Sequence, residues 1–365
     1  MQILTSPHDD HFTELLRRLP AELDLDSLAA EHGAIKRRRA VTGGAALLRL
    51  ALARGPGGLS LRQTAGWATM IGLAGLSNPG LKYRLDKAVD FLAAIIAQLL
   101  ASRAGSHGLH WPGRSLRLAD GTCVSQHGSK GTDWRVHGVF DLGRGGFSHL
   151  EVTDGRGGES LNRGAPVAGE VRIADRGFAT APALSRFRQD SLGQADFIVR
   201  ARWAGFALVG PDGGRFDLIA HLAALPPKPG VHEMSLHALV KQQPLLPLRL
   251  VILRKSPQAT LAAQQAARRQ ASRMQKKLDP RSLIAAEFVV LATSLPAHVA
   301  PAEQVLAAYR LRWQIELAFK RLKSLLHLDR MPTQTEAGGR TWLYAHLILA
   351  LLTDTLSQDF LESFP

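Results

Sequence analysis

The chain has 365 residues, 45% hydrophobic and 21% charged, a balance that excludes disorder as the main state and permits one large or several smaller domains. Its 45 Lys and Arg exceed its 31 Asp and Glu by a formal charge of +14, which points to phosphate-bearing partners. A single cysteine, Cys123, excludes a disulfide scaffold and any all-cysteine metal site, and is expected as a small buried residue.

Residues 1–31 are acidic, with Asp9 and Asp10 where a secretory leader would need bases. The longest apolar runs, Phe91 to Ala101 and Leu343 to Leu352, fall well under the roughly 18 residues a membrane span requires, so a cytoplasmic protein is expected. Residues 1–110 read as a helical domain broken at Gly33, at Gly55-Pro56-Gly57-Gly58 and at Asn78-Pro79-Gly80. Within it, Ser60-Leu61-Arg62-Gln63 matches a capping box, and the pattern admits a DNA-binding helix-turn-helix.

From Trp111 the period changes to that of strands. Leu116 to Asp120, Val136 to Leu142 and Phe147 to Thr153 predict a meander with Gly-rich turns. Val171 to Asp175, a helix over Ala179 to Gln189 and Phe197 to Arg202 extend it into a mixed α/β sheet over 111–202. Residues 203–284 predict a β-rich insertion, with strands at Arg215 to Ala220, Val231 to Leu236 and Arg249 to Arg254, ending in a basic helix over Gln258 to Leu278. Residues 285–330 return to the core with a strand, Glu287 to Thr293, and one long helix from Pro301 to Leu326; 331–365 holds a last apolar helix, Thr341 to Leu356.

On the long helix, Tyr309, Arg312, Glu316 and Lys323 fall within about 60° of one another along roughly 21 Å of axis, at 3.6 residues per turn and 1.5 Å per residue. Such a stripe is either a solvated polar face or a phosphate track with an acid in its middle. The flanking Trp313, Ile315, Phe319 and Leu322 favour a docked helix. Asp120 before Gly121 and Asp175 before Arg176-Gly177 end predicted strands, where Asp is either a turn former or a site residue. Three convergent carboxylates can bind two hard divalent cations for phosphoryl transfer.

These residues carry a resemblance. The spacing Y-(2)-R-(3)-E-(6)-K of Tyr309, Arg312, Glu316 and Lys323, with Leu118-Ala119-Asp120-Gly121-Thr122 and Ile173-Ala174-Asp175-Arg176-Gly177-Phe178, resembles the DDE transposases of the bacterial insertion-sequence class called IS-four. The resemblance covers about Trp111 to Arg330. It implies an RNase H-like fold, with Asp120, Asp175 and Glu316 as ligands for two Mg²⁺ ions, or Mn²⁺ in their place. It also implies cleavage at transposon ends (the terminal inverted repeats) and joining to target DNA, with Tyr309, Arg312 and Lys323 on phosphates near the cleaved end. A nucleoid-associated protein follows from that activity. A homodimer in the synaptic complex stays open, since the stretch after Glu316 is short beside better-known relatives. An RNase H-like nuclease or resolvase, or a DNA-binding protein with an inert acidic site, are the alternative readings.

Weaker signals remain. Arg268, Arg269, Arg273, Lys276 and Lys277 form a basic run that is either a solvated face or a DNA contact, as does Lys36-Arg37-Arg38-Arg39. Arg176 either steadies Asp175 or a phosphate, or makes an ordinary ion pair. Trp203 is either a partly buried core residue or a stacking surface for an unpaired base, and His107 and His110 read as loop.

Overall fold

A computed structural model describes residues 7–102, 110–111, 113–125, 129, 131–326, 331–333 and 335–363. The chain opens with α1 (Pro7–Leu16), α2 (Leu25–Glu31), α3 (Gly44–Arg54), α4 (Leu61–Met70), α5 (Asn78–Asp86) and α6 (Val89–Ser102). Side chains start these helices by satisfying free N–H groups. Asp24 accepts from the N–H groups of Asp26 and Ser27, Ser77 accepts from Gly80, and Ser60 with Gln63 closes the expected capping box. Leu47, Leu48 and Leu50 of α3 and Leu81 and Leu85 of α5 are buried in one core.

The sheet follows: β1 (His110–Trp111), β2 (Arg114–Val124), β3 (Trp134–Asp141), β4 (Gly146–Asp154), β5 (Glu170–Ala174), α7 (Ala181–Asp190) and β6 (Asp196–Arg200). Next come β7 (Leu208–Val209), β8 (Arg215–Phe216), α8 (Leu218–Ala224), β9 (Gly230–Ala238), β10 (Leu246–Arg254), α9 (Pro257–Arg273), α10 (Arg281–Ala286) and β11 (Phe288–Thr293). The chain then forms α11 (Ala302–Arg310), α12 (Trp313–Leu326) and α13 (Glu336–Ser363).

The strands run in the order β4-β3-β2-β5-β6-β11-β10-β9-β7-β8, with β1 paired to β2. The β2–β5 and β5–β6 ladders are parallel, and β3 and β4 join them as an antiparallel meander. Residues 203–284 therefore extend the same sheet through the β10–β11 and β11–β6 ladders. One face packs against the N-terminal helices, α11, α12 and α13, where Thr341 Oγ1 donates to the Leu85 carbonyl at 2.8 Å. The other face carries α7 and α8 over Phe187, Phe197 and Leu222.

Several expectations are corrected. Arg215 to Ala220 is not one strand, because Asp217 caps Ile219 and Ala220 and starts α8. Asp120 lies inside β2 rather than at its end, since the antiparallel ladder with β3 continues to Val124. Cys123 is exposed, because strand alternation turns it away from its buried neighbours Thr122 and Val124. His107 and the side chain of His110 lie outside the described residues. Among the described residues no helix is long and apolar enough to cross a membrane.

Candidate active site

Strand register brings the two aspartates together. Leu118 pairs with Ile173 and Ala119 with Ala174 in the parallel ladder, so Asp120 and Asp175 each follow the last registered pair. Period-two alternation turns both toward the face that carries Leu118 and Ile173, which is the face under α11 and α12.

The helix bearing Glu316 is seated by a glycine. Asp120 pairs across the sheet with Gly138, where a Cβ would stand 2.9 Å from the Phe319 ring and 2.7 Å from that of Phe147. Phe319 packs on Phe147 with ring centroids 5.3 Å apart, and Ile315 is fully buried beneath the same helix. The bare backbone at Gly138 thus lets α12 approach β2 and β3, with Glu316 three residues before Phe319.

The long helix expected over 301–326 is two helices. Leu311 N–H donates to the Ala308 carbonyl and Arg312 N–H to that of Tyr309, both at 3.1 Å, and the Gln314 and Ile315 N–H groups bond three residues back in the same way. These tighter bonds interrupt the helix at Leu311 and Arg312, so the four motif residues are divided between α11, the interruption and α12. Tyr309 on α11 reaches the aspartates: its hydroxyl donates to Asp175 Oδ1 at 3.1 Å. Arg312 stands at the turn, its guanidinium 5.9 Å from the Tyr309 ring centroid and 2.7 Å from Glu316 Oε1. Lys323 lies on α12, its side chain outside the described residues.

The two aspartates have opposite electrostatic fates. Burial pushes the Asp120 carboxyl up to about 6; the Gly121 N–H and the Arg312 charge oppose the rise, while Glu159 and Glu316 add to it. Burial also pushes Asp175 up, but the Arg176 N–H, the Arg312 charge and the Tyr309 hydroxyl outweigh it and hold Asp175 below its ordinary value. Tyr309 is pushed up to about 12, by burial first and then by the neighbouring Asp175 charge, so its hydroxyl remains a donor at neutral pH.

Glu159, in the connection after β4, is a fourth acid that sequence reasoning missed. It lies against the 3-10 turn Arg176–Phe178, where a Cβ at Gly177 would collide with its carboxylate. Only the fold brings it there, and the glycine of Asp175-Arg176-Gly177 was its one sequence trace. Among the described residues, no three acidic, His or Cys side chains lie close enough to hold a metal ion, and the exposed Glu316 carboxylate is engaged by Arg312. The donor set is nevertheless suited to a hard divalent cation: carboxylate oxygens from neighbouring strands, one of them raised partly by like charge.

Of the other expected DNA contacts, Arg176, Lys276 and Lys277 line one pocket. Arg268, Arg269, Arg273, Lys276 and Lys277 are exposed on and just beyond α9, a helix with no buried residue. Arg176 is exposed beside Asp175, and Trp203 is half-buried with the Arg281 guanidinium 4.5 Å from its ring centroid.

Residues 111–352 match the family described as Transposase DDE domain. The chain is 39% identical over 360 residues to the transposase for insertion sequence element IS421 of Escherichia coli, covering 98% of this chain and 96% of that protein. It is equally similar, at 39% over 359 residues and the same coverage, to InsL of insertion sequence element IS186A of Escherichia coli strain K12. A shorter stretch of 72 residues, 20% of this chain and 15% of the relative, is 39% identical to the transposase for IS231F of Bacillus thuringiensis subsp. israelensis.

Proposed function

We propose, for a chain that belongs to the transposase DDE-domain family and is a DNA transposase of an insertion sequence, that Asp120, Asp175 and Glu316 are its catalytic acids on an RNase H-like core. The observation that carries this reading is the parallel register that ends at Ala119 and Ala174 and presents Asp120 and Asp175 on the face covered by the helix of Glu316. The strand order β4-β3-β2-β5-β6, an antiparallel meander continued by two parallel strands, supports the RNase H-like core over 111–202 and 285–330. Residues 1–110 serve as the DNA-binding helical domain and 203–284 as the insertion.

DDE transposases generally use divalent metals. We assign the ions here as Mg²⁺, with Mn²⁺ as a substitute, which Asp120, Asp175 and Glu316 would hold. When bound, such ions stabilise negative charge on the phosphate oxygens and favour a deprotonated attacking oxygen. The protein's own groups do the rest. Tyr309 orients Asp175 through its hydroxyl, and Arg312, released from Glu316, is free to meet a phosphate oxygen with its forked donors. Water is the attacking group at the transposon end, and the freed 3′-hydroxyl attacks target DNA in the joining step.

The test is cleavage and strand transfer of a labelled duplex from the element's own end in Mg²⁺. Asp120→Asn, Asp175→Asn and Glu316→Gln each abolish both steps and leave duplex binding within a few-fold. Retained cutting by any one removes that residue from the triad; cleavage with no joined product favours a nuclease or resolvase instead.

A further inference from the structure

The connection between β4 and β5, residues 155–169, forms neither helix nor strand, yet buried side chains hold it in one conformation. Arg172 of β5 is fully buried and its charge is balanced by Glu170. Its Nη1 donates to the carbonyls of Leu161, Arg163 and Gly164 at 2.6, 3.2 and 2.9 Å, and its Nη2 to that of Ala165 at 3.3 Å. Leu161 is buried in the core beside α7, and Asn162 Nδ2 donates to the Ala183 carbonyl at 3.2 Å. Arg163 adds two bonds, from Nε to the Gly158 carbonyl at 2.8 Å and from Nη1 to Glu151 Oε1 at 2.6 Å. Taking an ion pair out of water is expensive, so a buried guanidinium that spends its protons on this main chain ties the fold to the shape of the connection. The segment so fixed carries one exposed acid, Glu159, next to Gly158.

The Glu159 carboxylate lies against the turn that follows Asp175, where a Cβ on Gly177 would overlap Oε2 and stand 2.8 Å from Cδ. Its charge also reaches Asp120. Of the charges acting on that carboxyl, Glu159 follows Arg312 and precedes Glu316. The other acids nearby are engaged: Glu151 by Arg163, Glu170 by Arg117 and Arg172, and Glu316 by Arg312. Asp154 accepts from the N–H groups of Arg156 and Gly157, Asp120 from that of Gly121, and Asp175 from the Tyr309 hydroxyl. Among the described residues Glu159 has neither an ion pair nor a hydrogen bond from its carboxylate, and Arg176, the neighbour of Gly177, makes no pair with it. A rigidly carried, unpartnered carboxylate facing two others adds repulsion that a cation relieves.

Since no three acids among the described residues lie close enough to ligate one ion directly, the link from Glu159 runs through water. That suits a small hard cation. Mg²⁺ dehydrates reluctantly, is usually bound by one or two carboxylates, and keeps several waters whose protons need acceptors. We propose that Glu159 is a fourth acid of the cation site, a positioning residue that accepts hydrogen bonds from the water shell of an ion held by Asp120 and Asp175. The proposal rests on the assignment of those two aspartates as cation ligands. It gives Glu159 a part that Glu316 does not fill in the DNA-free protein, where Arg312 engages Glu316.

The experiment titrates the full chain with Mn²⁺ in the absence of DNA and reads the free ion by its electron paramagnetic resonance signal. E159Q keeps the size of the side chain and removes its charge. Because the Glu159 carboxylate makes no bond within the described protein, thermal unfolding of E159Q in EDTA stays at or slightly above that of the parent. Its Mn²⁺ affinity falls about tenfold, the lower end of what groups bonded to a metal's own ligands contribute. E159D keeps the charge and, with water bridging the shorter reach, binds Mn²⁺ within about threefold of the parent. D120N and D175N, measured alongside, abolish the binding. Loss at both aspartates with E159Q within about twofold of the parent overturns the proposal and leaves the aspartates as ligands. Mn²⁺ binding kept by D120N and D175N overturns the assignment on which it rests, and the proposal with it.

Discussion

The raised Asp120 carboxyl makes the metal-free protein less stable than its own neutral variant. An acid near 6 in the folded state and 3.8 when unfolded binds its proton more tightly when folded. Its contribution to stability is therefore present below pH 4, is lost as pH rises toward 6, and above 6 becomes a constant penalty. The gap of about two pH units corresponds to at most about 3 kcal/mol, and partial solvent access reduces this to about 1–2 kcal/mol. Asp120→Asn keeps the oxygen that accepts the Gly121 N–H at 2.8 Å and removes the charge. Urea unfolding in EDTA at pH 8 should place D120N above the parent by that amount, and at pH 4 the two curves should nearly coincide. The same difference at both pH values, or a less stable D120N at pH 8, would refute the argument that burial and like charge dominate at this carboxyl.

Three further outcomes follow from packing and hydrogen bonding. Gly138→Ala forces the Phe147 and Phe319 rings apart and should destabilise by about 1–3 kcal/mol, and because it lifts α12 it should lower cleavage more than duplex binding, read by thermal unfolding and the end-cleavage assay. Tyr309→Phe removes the donor to Asp175 and should slow cleavage about tenfold with duplex affinity within about twofold, since a hydrogen bond to a charged group contributes about 1.5–3 kcal/mol. Glu170→Ala strands the fully buried Arg172 guanidinium, 2.7 Å from Glu170 Oε1, and should cost about 3–5 kcal/mol in urea unfolding.

Much of the core was legible because strand alternation and glycine turns are local signals. The meander, β5, β6, β10 and β11 all fall within a few residues of their expected places. The tyrosine, arginine and glutamate spacing also picked out residues in contact, since Tyr309 bonds Asp175 and Arg312 bonds Glu316. What it could not mark was the interruption of the helix at Leu311 and Arg312, where neither Gly nor Pro breaks the pattern and three-residue hydrogen bonds replace the regular ones. Gly138 reads in sequence as a weak strand position; its value is the approach of Phe319, from a residue 181 positions later. Glu159 was hidden for the same reason, since the connection after β4 brings it to the site and no spacing encodes that.

The central claim is that Asp120, Asp175 and Glu316 converge on divalent metal. Anomalous diffraction from crystals of the protein grown with Mn²⁺ and end DNA tests it most directly. Manganese is expected between Asp120 and Asp175, with a Glu316 oxygen withdrawn from Arg312 to within about 2–2.5 Å of an ion, the distance range of hard-cation ligands. Manganese bound elsewhere, or Glu316 still paired with Arg312 in a DNA complex that holds the ions, would contradict it.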